Sequence, residues 1–233
     1  GRLQEGGYTF DMGPSLITAP AIIDRIFRRG GSRLDAALDL VPLDPFYRVY
    51  FGDGSHIDYA GDADRMRSEM ARFSERDAAQ YDAFMDAARP IYETVIEEGL
   101  GRRPFDRLGT LAGFLPRALK LGAYRSTAGF AAQYFEDFRH RFLFSFHPLF
   151  IGGNPFRAPA VYSMIPYLEK EQGVWYAPGG MYSLVEALES LFRRQGGEVV
   201  TGAEVTSIEV ENGRAHAVWA GGERQIGRAS CRE

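Results

Sequence analysis

The run Phe142-Leu143-Phe144-Ser145-Phe146-His147-Pro148-Leu149-Phe150-Ile151-Gly152-Gly153-Asn154-Pro155-Phe156 decides how the chain is read. Five phenylalanines crowd around one histidine, and the run breaks at Gly-Gly-Asn-Pro. A chain that folds in water keeps so much aromatic surface for a core or for a large apolar ligand. Upstream, residues 62 to about 146 read as mostly helical. Ser74 with an acid three residues on, Asp77, predicts a capped helix start. Tyr81, Phe84, Met85 and Ala88 then make one apolar face, kinked at Pro90. Phe130, Tyr134 and Phe138 recur every four residues and predict one face of a further helix.

Further upstream, Tyr8-Thr9-Phe10 is a short strand and Gly13-Pro14-Ser15 a turn. A helix is predicted over 19–29, and Tyr47–Phe51 with Ser55–Tyr59 reads as a β-hairpin around Gly52-Asp53-Gly54. Downstream, Ser183 to Gln195 is an amphipathic helix stopped by Gly196-Gly197. Glu198 to Glu211 is β-like, and Asn212-Gly213 is the strongest hairpin turn in the chain. The order gives an α/β frame interrupted by a helical insert. We divide it as 1–61 (frame), 62–150 (insert), 151–224 (return to the frame) and 225–233. The last segment continues no pattern and is read as an artefactual tail, with a surface loop as the alternative.

The chain has 233 residues, 45% hydrophobic and 25% charged, as an ordinary globular protein has. A net charge of −4 argues against a nucleic-acid partner. One cysteine, Cys231, excludes a disulfide framework and a cysteine-based metal site. No run reaches the roughly 20 apolar residues of a membrane-spanning helix.

Together with Gly7-Tyr8-Thr9-Phe10-Asp11-Met12-Gly13-Pro14-Ser15 and Gly173-Val174-Trp175-Tyr176-Ala177-Pro178-Gly179-Gly180-Met181, the aromatic run resembles the bacterial phytoene desaturase family. The three blocks stand in the family's order and spacing, and the resemblance covers residues 1 to about 224. It implies a partial FAD-binding frame of the amine-oxidase type and FAD-dependent desaturation of phytoene or a similar long isoprenoid. It further implies a cytoplasmic protein, peripheral on the inner face of the membrane, and leaves the oligomeric state open. The chain contains no G-x-G-x-x-G turn, the usual cradle for a dinucleotide pyrophosphate. The family's motif lies before the Gly-Gly-Arg that Gly1-Arg2 completes, so the chain is read as an internal fragment. A flavin-dependent isomerase, a desaturase of C30 chains, and a non-catalytic lipid-binding fragment are the alternatives.

For the cofactor, the resemblance assigns Arg2, whose guanidinium can pair with phosphate oxygens, the turn Gly13-Pro14-Ser15, and Val205. The plainer readings are a surface arginine, a strand-ending turn and an interior strand valine. Asp137 is the candidate base. Its aromatic neighbours Tyr134, Phe135 and Phe138 would desolvate it and raise its pKa, and the family carries a carboxylate at the matching place. The competing reading is a surface acid paired with Arg139 or Arg141. Phe142, Phe144, Phe146, Trp175 and Tyr176 are the candidate walls of a substrate tunnel, with core as the alternative. Arg107 to Arg125 mixes Leu and Phe with basic residues. Given the membrane-dwelling substrate that the resemblance implies, it is the candidate membrane contact; an ordinary amphipathic helix with a solvated basic face is the plainer reading. His140 and His147 are seven apart, too sparse for a metal pair, and are read as core or surface residues.

Overall fold

The computed structural model describes residues 1–99, 116, 119, 121–122 and 124–225. Most of the candidate membrane segment, and nearly all of the tail, lie outside the described residues. The chain divides into two compact units, Gly1–Val185 and Glu186–Glu233. Helices and small sheets mix, α/β in the coarse sense, and every strand pairing among the described residues is antiparallel.

The first unit opens with strands β1 (Arg2–Glu5) and β2 (Tyr8–Asp11). Gly6 and Gly7 join them with φ of +58° and +81°, the pair of left-handed residues that a two-residue hairpin turn needs. Helices α1 (Pro20–Arg29) and α2 (Leu34–Ala37) follow, and then β3 (Val41–Pro42). The expected hairpin forms as β4 (Tyr47–Tyr50) against β5 (His56–Tyr59). Helices α3 (Ala63–Ala71), α4 (Glu75–Ala79) and α5 (Tyr81–Tyr92) come next. Pro90 sits inside α5, which the chain continues into a π turn over Glu93–Glu97.

Past the undescribed stretch lie α6 (Thr127–Ala131), α7 (Phe138–Leu143) and 3-10 turns over His147–Ile151 and Ala160–Met164. Helix α8 (Ile165–Gln172), strand β6 (Trp175–Tyr176) and helix α9 (Tyr182–Arg194) complete the order, α9 running on into the second unit. The continuous helix expected from Phe130, Tyr134 and Phe138 is not formed. Asp137 adopts extended backbone (ψ 132°) and starts α7 as its cap, so the spacing of four joins two helices across a turn.

One core holds this unit. Ile57 and Tyr59 from β5, Met66 and Met70 from α3, Phe84 and Met85 from α5, Phe135, Phe144 and Leu168 pack together, all nearly or fully buried. Residues from the segments 1–61, 62–150 and 151–224 thus share one interior. The strand segments are too short to bury a face on their own and borrow the helical one.

In the second unit β7 (Val205–Glu211), β8 (Arg214–Ala220) and β9 (Glu223–Gln225) form an antiparallel sheet. Asn212 and Gly213 take φ of +51° and +75° at its first turn, as Asn-Gly predicts. The strand begins at Val205 and not near Glu198, after left-handed Gly202. No helix among the described residues is long and apolar enough to cross a membrane.

Candidate cofactor and substrate site

Two blocks far apart in sequence meet at the β1–β2 hairpin. The Asp11 carboxylate, at the end of β2, accepts hydrogen bonds from the backbone N–H groups of Met181 and Tyr182, where α9 starts. The Arg2 guanidinium lies 4.3 Å above the Tyr182 ring. Gly179 and Gly180 reach this point with φ of +86° and +88°. Just beyond the hairpin, Ile17 and Trp175 exchange two 2.9 Å backbone hydrogen bonds. Arg2 and the exposed Gly13-Pro14-Ser15 turn therefore lie on one structure. Gly13 has φ of +116° and open space where a Cβ would project. Val205, by contrast, is an exposed residue of β7 in the second unit.

The residues in this corner suit one part of a flavin nucleotide. A guanidinium and an uncrowded glycine turn can meet phosphate oxygens or a flat ring edge. The Met181 and Tyr182 N–H groups at the start of α9, where a helix offers donors to a phosphate, are taken by Asp11.

Asp137 is three-quarters or more shielded and tightly held. One of its oxygens accepts from the Arg139 N–H at 2.8 Å, and the other lies 3.3 Å from the Arg139 guanidinium. Arg139 also pairs with Asp53 and stacks on Phe73 and Phe138. Arg139 and Ser55 together hold the Asp53 carboxyl down to about 2, Ser55 contributing most. Behind Asp137 lies a group that sequence reasoning placed differently. Asp77 was expected to serve its own helix. Its N–H is indeed taken by the Ser74 hydroxyl, but its carboxylate is fully buried and faces the Asp137 turn. Nothing local in the sequence marks that partner, 60 residues away.

The candidate wall residues separate. Phe142 and Phe146 stack (5.5 Å, 16°), with Phe150 edge-on to Phe146, on a partly exposed surface. Phe144 points into the core, stacked 4.8 Å from Phe135. Trp175 and Tyr176 belong to β6, paired with β3. Trp175 lines a pocket of about 320 Å³ with Leu34, Leu38, Leu40 and Pro20, rimmed by Arg33 and Asp35.

Under Phe146 lies a second buried polar group. The Tyr47 hydroxyl donates to Glu169 Oε2 at 3.1 Å, and His147 Nε2 lies 3.4 Å from the same oxygen. Burial first, and then the charge of Glu169, push the Tyr47 hydroxyl well above its ordinary pKa. His147 is a core residue, and so is His140. Among the described residues no three His, Cys, Asp or Glu side chains are grouped to hold a metal ion.

The sequence that builds this hairpin clamp and this aromatic layer has counterparts in known proteins. The chain matches the flavin containing amine oxidoreductase family over residues 2–231 and belongs to it. Within the curated proteins it is 37% identical over 218 residues to a phytoene desaturase (lycopene-forming) of Pantoea ananas, covering 92% of this chain and 44% of that protein. It is 38% identical over 216 residues to a phytoene desaturase (neurosporene-forming) of Cereibacter sphaeroides (93% and 42%). A zeta-carotene-forming phytoene desaturase of Myxococcus xanthus is 33% identical over 218 residues (93% and 42%). The chain thus spans less than half the length of these relatives.

Proposed function

We propose that this chain carries part of an FAD-dependent carotenoid desaturase that dehydrogenates phytoene or a similar long isoprenoid. The observation that carries the reading is the meeting of the Gly7–Ser15 and Gly173–Met181 blocks through Asp11, Met181 and Tyr182. It supports the reading because two of the three family-like blocks share one corner of the first unit. FAD, when bound, supplies the two-electron oxidation. Arg2 and Gly13-Pro14-Ser15 contact it, and Val205 supports its nucleotide part. Phe142, Phe146, Trp175 and Tyr176 orient the apolar chain and exclude water, while Phe144 stiffens the layer from the core. Asp137 accepts the proton released as the carbon–carbon double bond forms, within the helical insert over 62–150.

An enzyme for so apolar a substrate meets it at the bilayer. We assign the protein to the cytoplasmic face of the membrane, with the Arg107–Arg125 segment as the contact.

The test uses the full-length enzyme. Asp137→Asn should keep flavin and fold but lose about 10²–10⁴ in turnover, with Glu136→Gln much milder, because Glu136 is exposed and pairs with Arg76. Chromatography of the products from phytoene and from a C30 precursor identifies the substrate. Normal desaturation by Asp137→Asn removes it from the mechanism. An isomerised but not dehydrogenated product refutes the desaturase reading.

A further inference from the structure

We propose that Asp77, with His140, is a positioning residue for the reaction: it fixes the turn that presents Asp137. The inference rests on the reading of Asp137 as the proton acceptor.

Asp77 sits on α4 and its carboxylate is fully buried. Both of its oxygens are engaged. Oδ1 accepts from the Glu136 N–H at 3.0 Å and from the Arg76 guanidinium at 2.9 Å. Oδ2 accepts from the Glu136 N–H at 3.0 Å, the Asp137 N–H at 2.8 Å and His140 Nδ1 at 3.0 Å. Two consecutive amides of the turn, and a ring nitrogen one helical turn further on, thus converge on one carboxylate from another helix. The Glu136 and Asp137 amides lie ahead of α7 and have no partner within it.

The imidazole is held equally firmly. His140 is fully buried, with Phe73 and Phe135 packed edge-on at 6.2 and 6.3 Å. Among the described residues its Nε2 has no hydrogen-bond partner. A buried polar atom left unpaired is unfavourable. An apolar side chain of similar volume would fill the same space but would give the Asp77 carboxylate no donor. The His140 Nδ1–H is the fourth donor to Asp77, beside Arg76 and the Glu136 and Asp137 amides, and its place on α7 ties the carboxylate to the helix that Asp137 caps.

The result is a carboxylate on the turn with little freedom. Its backbone N–H is anchored to Asp77, and its side chain is anchored to the Arg139 N–H. A proton acceptor must meet its carbon within a fraction of an ångström, and a misplacement of about 1 Å costs about 10²-fold in rate. Asp77 acts on that geometry without touching the substrate.

The experiment is a double-mutant cycle on the full-length, flavin-loaded enzyme, reading kcat and KM separately. Asp77→Asn replaces one acceptor oxygen by an NH2 group that faces N–H donors. It should lower kcat about 10²-fold with KM and flavin content little changed. In the Asp137→Asn background the same change should cost almost nothing, because a positioning residue acts only through the group it positions. His140→Gln, which keeps a donor, should retain more activity than His140→Phe, and this pair decides the matter if Asp77→Asn folds poorly. An Asp77→Asn cost of equal size in both backgrounds, or equal activity of the two His140 variants, would make the pair purely structural. Normal turnover by Asp137→Asn would sink the parent reading and this inference together. Inactive Asp137→Asn beside fully active Asp77→Asn would sink this inference alone.

Discussion

Replacing Gly180 by alanine should detach the N-terminal hairpin, and the structure sets the size of the effect. Gly180 has φ of +88°, a conformation that disfavours an L side chain; αL backbone costs a non-glycine residue about 1–2 kcal/mol. The new Cβ would also stand 2.7 Å from Asp11 Cγ and closer still to one of its oxygens. Asp11 would have to shift, giving up one of its bonds to the Met181 and Tyr182 amides. A hydrogen bond to a charged group contributes about 1.5–3 kcal/mol, and the exposure of Asp11 favours the low end. Backbone strain and a lost bond together give about 3 kcal/mol. With a urea slope of about 2–3 kcal/mol per molar, the midpoint should fall by about 1 M. Hydrogen exchange should show the amides of residues 2–11 losing protection. Asp11→Ala should reproduce most of the loss, and the two changes together should be far from additive. An alanine variant with unchanged midpoint and unchanged protection would refute the clamp.

Three further outcomes follow from the interior. Burial alone would raise the Asp77 carboxyl, but its bonds to the Glu136 and Asp137 amides, His140 and Arg76 outweigh that and hold it below the ordinary value. A carboxyl depressed on folding stabilises above its unfolded pKa of about 3.9, and this is lost as pH falls through the folded value; urea midpoints should drop below about pH 4, less steeply in Asp77→Asn. Tyr47→Phe removes the donor to Glu169 Oε2 and should cost about 1–3 kcal/mol at neutral pH, read by urea denaturation. Phe144→Ala, at the meeting of Tyr59, Tyr81, Phe84 and Phe135, should cost about 3–5 kcal/mol, and a thermal shift of a degree or less would contradict its place in the core.

What was legible in the sequence was local. Asn212-Gly213 dictates its turn because few other pairs accept two left-handed residues, and the Ser183–Gln195 pattern gave its helix to within a residue at each end. The Tyr47–Tyr59 hairpin was legible from two alternating runs around a glycine-rich turn, in which Gly54 takes φ of +82°. Asp137 defeated the period of four between Phe130 and Phe138, because a short acid can cap a helix as readily as ride on one. Partnerships between distant segments were not legible. Asp77 with Asp137, Asp11 with Tyr182, and Tyr47 with His147 and Glu169 are separated by 60, 171, 100 and 122 residues. Periodicity tells which face of an element is buried, but not what it meets there. The family blocks themselves were legible, and their meeting in space was not.

The π turn at Glu93–Glu97 bears on how such chains change length. The Glu98 N–H reaches back five residues to the Glu93 carbonyl at 2.9 Å, one residue more than an α-helix uses. That extra residue is a bulge on a helix otherwise continuous from Tyr81. Removing one residue elsewhere in α5 would rotate everything beyond it by about 100° and turn Phe84 or Ile91 out of the core. Removing one within the bulge would restore ordinary winding and leave α5 before it untouched. This is the place where a one-residue deletion between related chains can be accepted without a second, compensating change.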